Sequence, residues 1–186
     1  MDIFECIKHR RSVYPHQFND EAIPDEDIQK LLKLANWAPT HRKTEPWRFK
    51  IFSGDFKDKA GQFFKETYLK TTHKPKSFKA KKIVQKFEQS SHVIAICMQR
   101  DPKESLPEWE EIAAAAMAVQ NMWLAASTLN IGMYWSTPAY KNELNKLVQL
   151  KDREQCFGFL YLGKFNRKMP LLERQSSIED KTEWFK

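Results

Sequence analysis

The longest apolar stretch of this sequence is an alanine-rich segment that a small protein must bury on several sides. Pro107 opens a predicted helix that continues to about Leu129, and its residues 112–119 read IAAAAMAV. Gln120 and Asn121 end the apolar run, which is far too short to cross a bilayer. Because a helix that is apolar on more than one face needs neighbours around it, we expect a buried helix of a soluble fold.

Predicted strands and helices alternate on both sides of this segment. The helical pattern covers residues 2–9, 24–37, 56–70 and 141–150, and a lysine-rich connection that contains Pro75 follows the third of these. Strand patterns cover residues 47–51, 93–98, 132–135 and 156–162. We therefore expect a single α+β domain over residues 1–186.

Composition and charge restrict the class of protein and its partners. The chain has 186 residues, enough for one domain with a sizeable core, and 41% hydrophobic with 30% charged residues is typical of a soluble globular protein. Its net charge of +7 would attract nucleic acid, a membrane surface or a phosphorylated small molecule. Residues 57–86 contain ten lysines among aromatic residues, which indicates either a solvated helix face, our preferred interpretation, or a nucleic-acid-binding patch.

Several common kinds of site have no sequence pattern here. Cys6, Cys97 and Cys156 are far apart, which predicts reduced thiols in a cytoplasmic protein and argues against a metal site built from cysteines. The first residues, MDIFE, do not predict a secretory signal. The sequence has no glycine-rich phosphate loop, so any nucleotide must be held by side chains and helix ends.

Two polar segments are candidate cofactor contacts. Arg10-Arg11-Ser12 follows the first helix, and residues 37–49, WAPTHRKTEPWRF, lead from the second helix into a strand. Arginine provides forked, permanently charged donors for phosphate, and serine adds a hydroxyl. Their order and spacing resemble the flavin-dependent nitroreductase family, and residues 129–136, LNIGMYWS, extend the resemblance.

The resemblance implies a nitroreductase-like fold, with a mostly antiparallel sheet flanked by helices, in an intertwined homodimer that shares its FMN sites. It also implies a set of cofactor-binding residues. The phosphate and ribityl chain of FMN would contact the Arg10-Arg11-Ser12 segment, and the flavin ring would lie against the end of the strand predicted over residues 132–135. Two residues of the polar loop would contact the FMN that is bound mainly by the partner subunit. These residues are Arg10, Arg11 and Ser12; Trp37 and His41; Trp135, Ser136 and Thr137; and, helping at the phosphate, Lys164 or Arg167.

One position departs from the family pattern. The family often has arginine or lysine two positions after the serine, directed at the N1–C2=O edge of the flavin, whereas this chain has Tyr14. Arg42 and Lys43 are the candidates for the missing cation, which would offset charge at N1 of reduced flavin.

The resemblance also implies an activity. It predicts hydride transfer from NADH or NADPH to flavin N5, followed by electron transfer to a nitroaromatic compound or a quinone, with no catalytic side chain and no metal. The expected partners are this small-molecule acceptor and a second protomer, not nucleic acid or a membrane. The alternatives are a nucleic-acid-binding domain that uses residues 57–86, and a flavin-fold enzyme with another reaction, such as dehalogenation or flavin destruction.

Overall fold

A four-stranded antiparallel sheet organises the part of the chain that the computed structural model describes, which is residues 2–166, 170 and 173–186. The strands are β1 (Trp47–Phe52), β2 (His92–Gln99), β3 (Ile131–Ser136) and β4 (Glu154–Lys164). Their order is β1-β2-β4-β3, so the last strand lies inside the sheet and β3 forms an edge. The predicted α+β class with an antiparallel sheet is confirmed.

Among the described residues, five α-helices cover the two faces of the sheet: α1 (Ile3–His9), α2 (Asp25–Ala35), α3 (Gly54–Thr71), α4 (Ser77–Glu88) and α5 (Glu108–Thr128). Alternate strand residues point to opposite faces, and this alternation divides the core in two. Ile94, Ile96 and Leu160 pack with α2 and α5, whereas Phe159 and Tyr161 pack with α3 and α4.

The alanine-rich helix is buried as predicted, but only in part. Ala115, Ala118 and Met122 of α5 are buried against the sheet. Ile112 and Met117 remain 38% and 40% exposed. One protomer therefore leaves an apolar side of this helix uncovered.

Two sequence predictions about local structure were wrong. The lysine-rich connection contains the helix α4, because Ala80, Ile83, Val84 and Phe87 form an apolar stripe at helical spacing and are all buried. The predicted helix over residues 141–150 is instead a 3-10 helix, Ala139–Lys146. Since the buried residues of this segment are only Tyr140 and Leu144, it has little packing to stabilise a longer α-helix.

Most lysines of residues 57–86 are exposed, as the solvated-face interpretation predicts, but Lys57 and Lys86 are not. Lys57 is buried, and its ammonium donates to the Phe87 carbonyl at 2.7 Å, while Lys86 is half-buried. Lys57 therefore belongs to the α3–α4 packing, whereas Lys86 lies beside the Tyr134 and Tyr161 rings of the sheet.

No helix within the described ranges combines the length and hydropathy that a bilayer span requires.

Candidate functional site

The Arg10-Arg11-Ser12 segment is held against the free edge of β3. Arg10 caps the end of α1 by donating its backbone N–H to the Cys6 carbonyl, and the chain then turns toward the sheet. Ser12 forms an isolated parallel bridge with Met133, and the backbone N–H of Val13 donates to the Met133 carbonyl at 3.0 Å. The segment is therefore fixed by backbone pairing, so its position does not depend on its side chains.

A cavity of about 540 Å³ opens beside this segment. Arg10, Arg11, Ser12, Tyr14 and Arg174 contribute to its lining, and the lining residues that the structure describes include no carboxylate. Burial lowers the pKa of Arg10, and the neighbouring Arg174 and Arg11 lower it further. Three crowded guanidinium groups without a facing acid are a site for an anion, because a bound anion relieves their mutual repulsion.

The two adjacent arginines differ in what they contact. Arg11 donates to three backbone carbonyls: those of Lys8, Arg10 and Pro170, at 3.0–3.1 Å. The Arg10 guanidinium lies over the Trp123 ring, 4.9 Å from its centroid. Arg11 thus mainly fastens the C-terminal segment to α1, and Arg10 is the better placed of the two to bind a phosphate.

A row of side chains connects this cavity to a second one. The Tyr14 ring lies 4.6 Å from that of Tyr134, and the Lys86 ammonium lies 5.3 Å from the Tyr134 ring and 5.9 Å from the Tyr161 ring. Burial lowers the pKa of Lys86, and so does the charge of Lys82. Lys86 also lines a cavity of about 470 Å³ on the α4 side of the sheet.

The end of β3 separates the two cavities. Met133 pairs with Ser12 beside the first cavity, and the chain then continues through Ser136 to Pro138 and Ala139, which line the second. Three residues of strand from Met133 to Ser136 span roughly 10 Å. The strand end that was predicted to line the flavin therefore lies between the arginine cavity and the lysine cavity.

The predicted flavin-lining residues at this strand end have different environments. Trp135 packs with the α5 layer, and its indole N–H is buried without a partner among the described residues. Ser136 is half-buried and Thr137 is exposed. The Trp135 side chain is thus core packing, so its contribution to a ligand site would come through its backbone.

The remaining predicted contacts lie elsewhere in the protomer. Trp37 is 83% exposed, and the exposed His41 pairs its Nδ1 with Glu110 at 2.6 Å, so neither lines the arginine or the lysine cavity. Lys164 donates its ammonium to the Leu129 carbonyl at 2.9 Å. Arg167 lies outside the described residues.

Sequence reasoning missed Lys86. Arg42, one of the two proposed substitutes for the missing cation, donates to the Ser105 carbonyl, and Lys43 is exposed on the same short 3-10 helix. Lys86 looked like one more surface lysine. Its position three residues after Ile83 and beside Phe87, on the flank of the buried stripe of α4, is the signal that could have identified it.

Comparisons with known proteins identify the family. Residues 7–164 match the Nitroreductase family. The chain is 27% identical over 183 residues to YfhC of Bacillus subtilis, provisionally named an NAD(P)H nitroreductase, covering 95% of this chain and 91% of YfhC. The crystal structure of a nitroreductase-like family protein from Bacillus cereus is 26% identical, with a TM-score of 0.85 over 100% of this chain and 96% of that one.

A further solved structure shares the fold. It is a provisionally named nitroreductase from Desulfovibrio desulfuricans in complex with FMN, with a TM-score of 0.65 at 24% identity over 95% of this chain and 99% of that one. Since the family match spans most of the sequence, from α1 to the end of β4, the chain belongs to the Nitroreductase family and is an oxidoreductase of that type.

Proposed function

We propose that this enzyme binds FMN and uses it to oxidise NADH or NADPH at the expense of a small electron-poor acceptor. The single observation that carries the proposal is the arginine cavity, where Arg10, Arg174 and Ser12 surround about 540 Å³ without a lining carboxylate among the described residues. This donor set fits a dianionic phosphate. The FMN complex of a protein with the same fold supports the same reading.

The chemistry would belong to the cofactor and the positioning to the chain. When bound, FMN supplies the redox step, taking a hydride from the reduced nicotinamide and passing electrons to a nitroaromatic compound or a quinone. Arg10 and Ser12 would hold the phosphate, and the backbone from Trp135 to Thr137 would lie along the ring. No side chain need act as a nucleophile.

Lys86 is our candidate for the cation that Tyr14 does not provide. Its ammonium lies 5.3 Å from the centre of the Tyr134 ring, and the Tyr14 ring lies 4.6 Å from the same centre. Its half-buried ammonium would stabilise negative charge at the N1–C2=O edge of the flavin more strongly than a fully solvated lysine, because less water screens the interaction. Lys86, and not Arg42 or Lys43, would then provide the cation at this edge.

We also propose a homodimer with shared FMN sites. Large apolar side chains are exposed in one protomer: Phe4 at 72%, Trp109 at 67%, and Trp184 and Phe185 at 79% and 86%. The uncovered side of α5 adds to this surface. A partner that covers α5 could also place its Trp37 and His41 at the cofactor, which would explain why these residues lie outside both cavities of their own protomer.

Cofactor binding is tested with Arg10→Ala and a matched control, Lys8→Ala, which removes an exposed charge from the same helix. The purified protein should show a flavin absorption spectrum, and FMN should be identified after release. Arg10→Ala should weaken FMN binding by about 1.5–3 kcal/mol, or about 10- to 150-fold, whereas Lys8→Ala should leave it nearly unchanged. Equal affinities in the two variants would remove Arg10 from the site.

Assembly and reaction order are tested separately. Light scattering on the FMN-loaded protein should give a dimer mass at micromolar concentration, and His41→Ala should weaken FMN binding without dissociating that dimer. Kinetics with a reduced nicotinamide and a nitroaromatic compound should give parallel double-reciprocal lines. Intersecting lines would contradict two separate half-reactions. A flavin-loaded protein that fails to reduce nitro compounds or quinones would have a different reaction.

A further inference from the structure

The lysine cavity has one wall of regularly spaced cations. Lys79, Lys82 and Lys86 all line it from α4. Their spacing of three and four residues places them on one face of that helix. Pro138, Ala139 and Tyr140 line it from the segment that follows β3.

This cavity concentrates positive charge without a facing acid. The lining residues that the structure describes include no carboxylate. Several lysines elsewhere on the surface have a carboxylate partner, for example Lys30 with Asp27 at 2.8 Å and Lys146 with Glu143 at 2.5 Å. Burial lowers the pKa of the half-buried Lys86, and the charge of the exposed Lys82 lowers it further.

The remaining surface of the cavity suits a flat ring. Ile83 and Tyr140 are buried apolar groups in its wall, and Pro138 and Ala139 add small apolar surfaces. The volume of about 470 Å³ lies within the usual range for a small-molecule site, roughly 300–1,000 Å³. Such a volume accommodates a compound of one or two rings, not a whole dinucleotide.

We propose that the lysine cavity binds the electron acceptor, and that this acceptor is a planar aromatic compound bearing an anionic group, such as a carboxylate, held by Lys79 and Lys82. The proposal rests on the proposed function, since Lys86 and Pro138 link the cavity to the strand end assigned to the flavin. It goes further by naming the substrate class. Lys79 and Lys82 select the anion, and the apolar wall contacts the ring.

The test compares two acceptors that differ in charge, 4-nitrobenzoate and the uncharged 4-nitrobenzamide, in the FMN-loaded protein. Replacing Lys79 and Lys82 together by glutamine should raise KM for the benzoate by about 10-fold or more, and leave KM for the amide nearly unchanged. The matched control replaces Lys59 and Lys81, two exposed lysines of α3 and α4 outside this cavity. The control removes the same total charge and should change neither KM.

Direct binding gives a second readout that does not need turnover. Equilibrium dialysis of 4-nitrobenzoate against the oxidised protein, without reductant, should show the same loss of affinity in the cavity variant. Equal losses for both acceptors, or equal losses in the control variant, would overturn the proposal. A changed preference between NADPH and NADH with unchanged benzoate binding would assign the cavity to the reductant and also overturn it.

The two proposals fail in different ways. Absence of bound flavin, or of any nitro reduction, would refute the proposed function, and the dialysis would still report on the cavity. Nitro reduction without any preference for the charged acceptor would refute the inference about the cavity alone.

Discussion

Replacing Gly158 by alanine should destabilise the protein and disturb the strand end assigned to the flavin. Gly158 has a φ of 144°, which side chains rarely adopt, and a Cβ built on it would lie 2.5 Å from the Ser136 carbonyl oxygen and 2.7 Å from the Trp135 indole nitrogen. The carbonyl belongs to the backbone, so the clash is relieved only if the strand end moves. Backbone strain of about 1–3 kcal/mol and overpacking of about 1–3 kcal/mol predict a total loss of roughly 2–6 kcal/mol.

Gly54→Ala is the matched control. Gly54 also has a positive φ, 50°, but a Cβ there would meet nothing within 4 Å. The Gly54→Ala variant therefore carries only the cost of a side chain at positive φ, about 1–2 kcal/mol, without a clash. Urea unfolding monitored by circular dichroism should show a larger loss of unfolding free energy for Gly158→Ala than for Gly54→Ala. The dependence of that free energy on urea concentration should be similar in the two variants. FMN affinity should fall only in that variant. Equal losses of stability, or unchanged FMN affinity in folded Gly158→Ala, would refute the account of this contact.

Two further predictions concern buried charge. Glu111 is buried and paired with Arg100, so Glu111→Ala should lower the free energy of unfolding by about 3–5 kcal/mol in urea titrations, and a loss below 1 kcal/mol would contradict the pairing. The pKa of Lys86 is lower in the folded protein than its ordinary value of 10.5. At a pH between the folded and the unfolded pKa, the unfolded state therefore binds more protons at this lysine than the folded state does. The free energy of unfolding consequently rises with pH in this interval. The titratable groups that face it are Lys82, Tyr134 and Tyr161. The urea midpoint of the flavin-free protein, measured at several alkaline pH values, should show this rise. The Lys86→Gln variant should show a flatter dependence of the midpoint on pH. An identical pH profile in the variant would exclude Lys86 as the source of the rise.

Local patterns predicted most of the elements because each carries its own burial signal. The period of two in residues 47–51 and the apolar run 93–98 correspond to β1 and β2, and the alanine-rich run corresponds to α5. The helix α4 was missed because its high density of lysines obscured a four-residue apolar stripe. The strand order could not be obtained in this way, since pairing between distant strands depends on contacts that no local window contains.

The candidate site was predictable in its N-terminal half only. Arg10 and Ser12 are adjacent in sequence and lie beside one cavity, so a single motif identifies them. Lys86 and Tyr14 both contact the Tyr134 ring only because α4 packs on the face of the sheet from which this ring projects. Arg11 has the residue type of a phosphate ligand, but the carbonyls that occupy its donors are visible only in the folded chain.

The order of the strands also bears on how the protein is made. β4 lies between β2 and β3, and it is synthesised after the other three strands of this sheet. Until residues 154–164 are synthesised, β3 has no strand to pair with in this sheet, and the apolar strand β2 exposes one edge. The nascent chain therefore carries an unpaired, aggregation-prone edge from the synthesis of β2 until that of β4, and the sheet closes only after residues 154–164 have been made. Truncation before β4 should give an insoluble product and not a smaller folded domain.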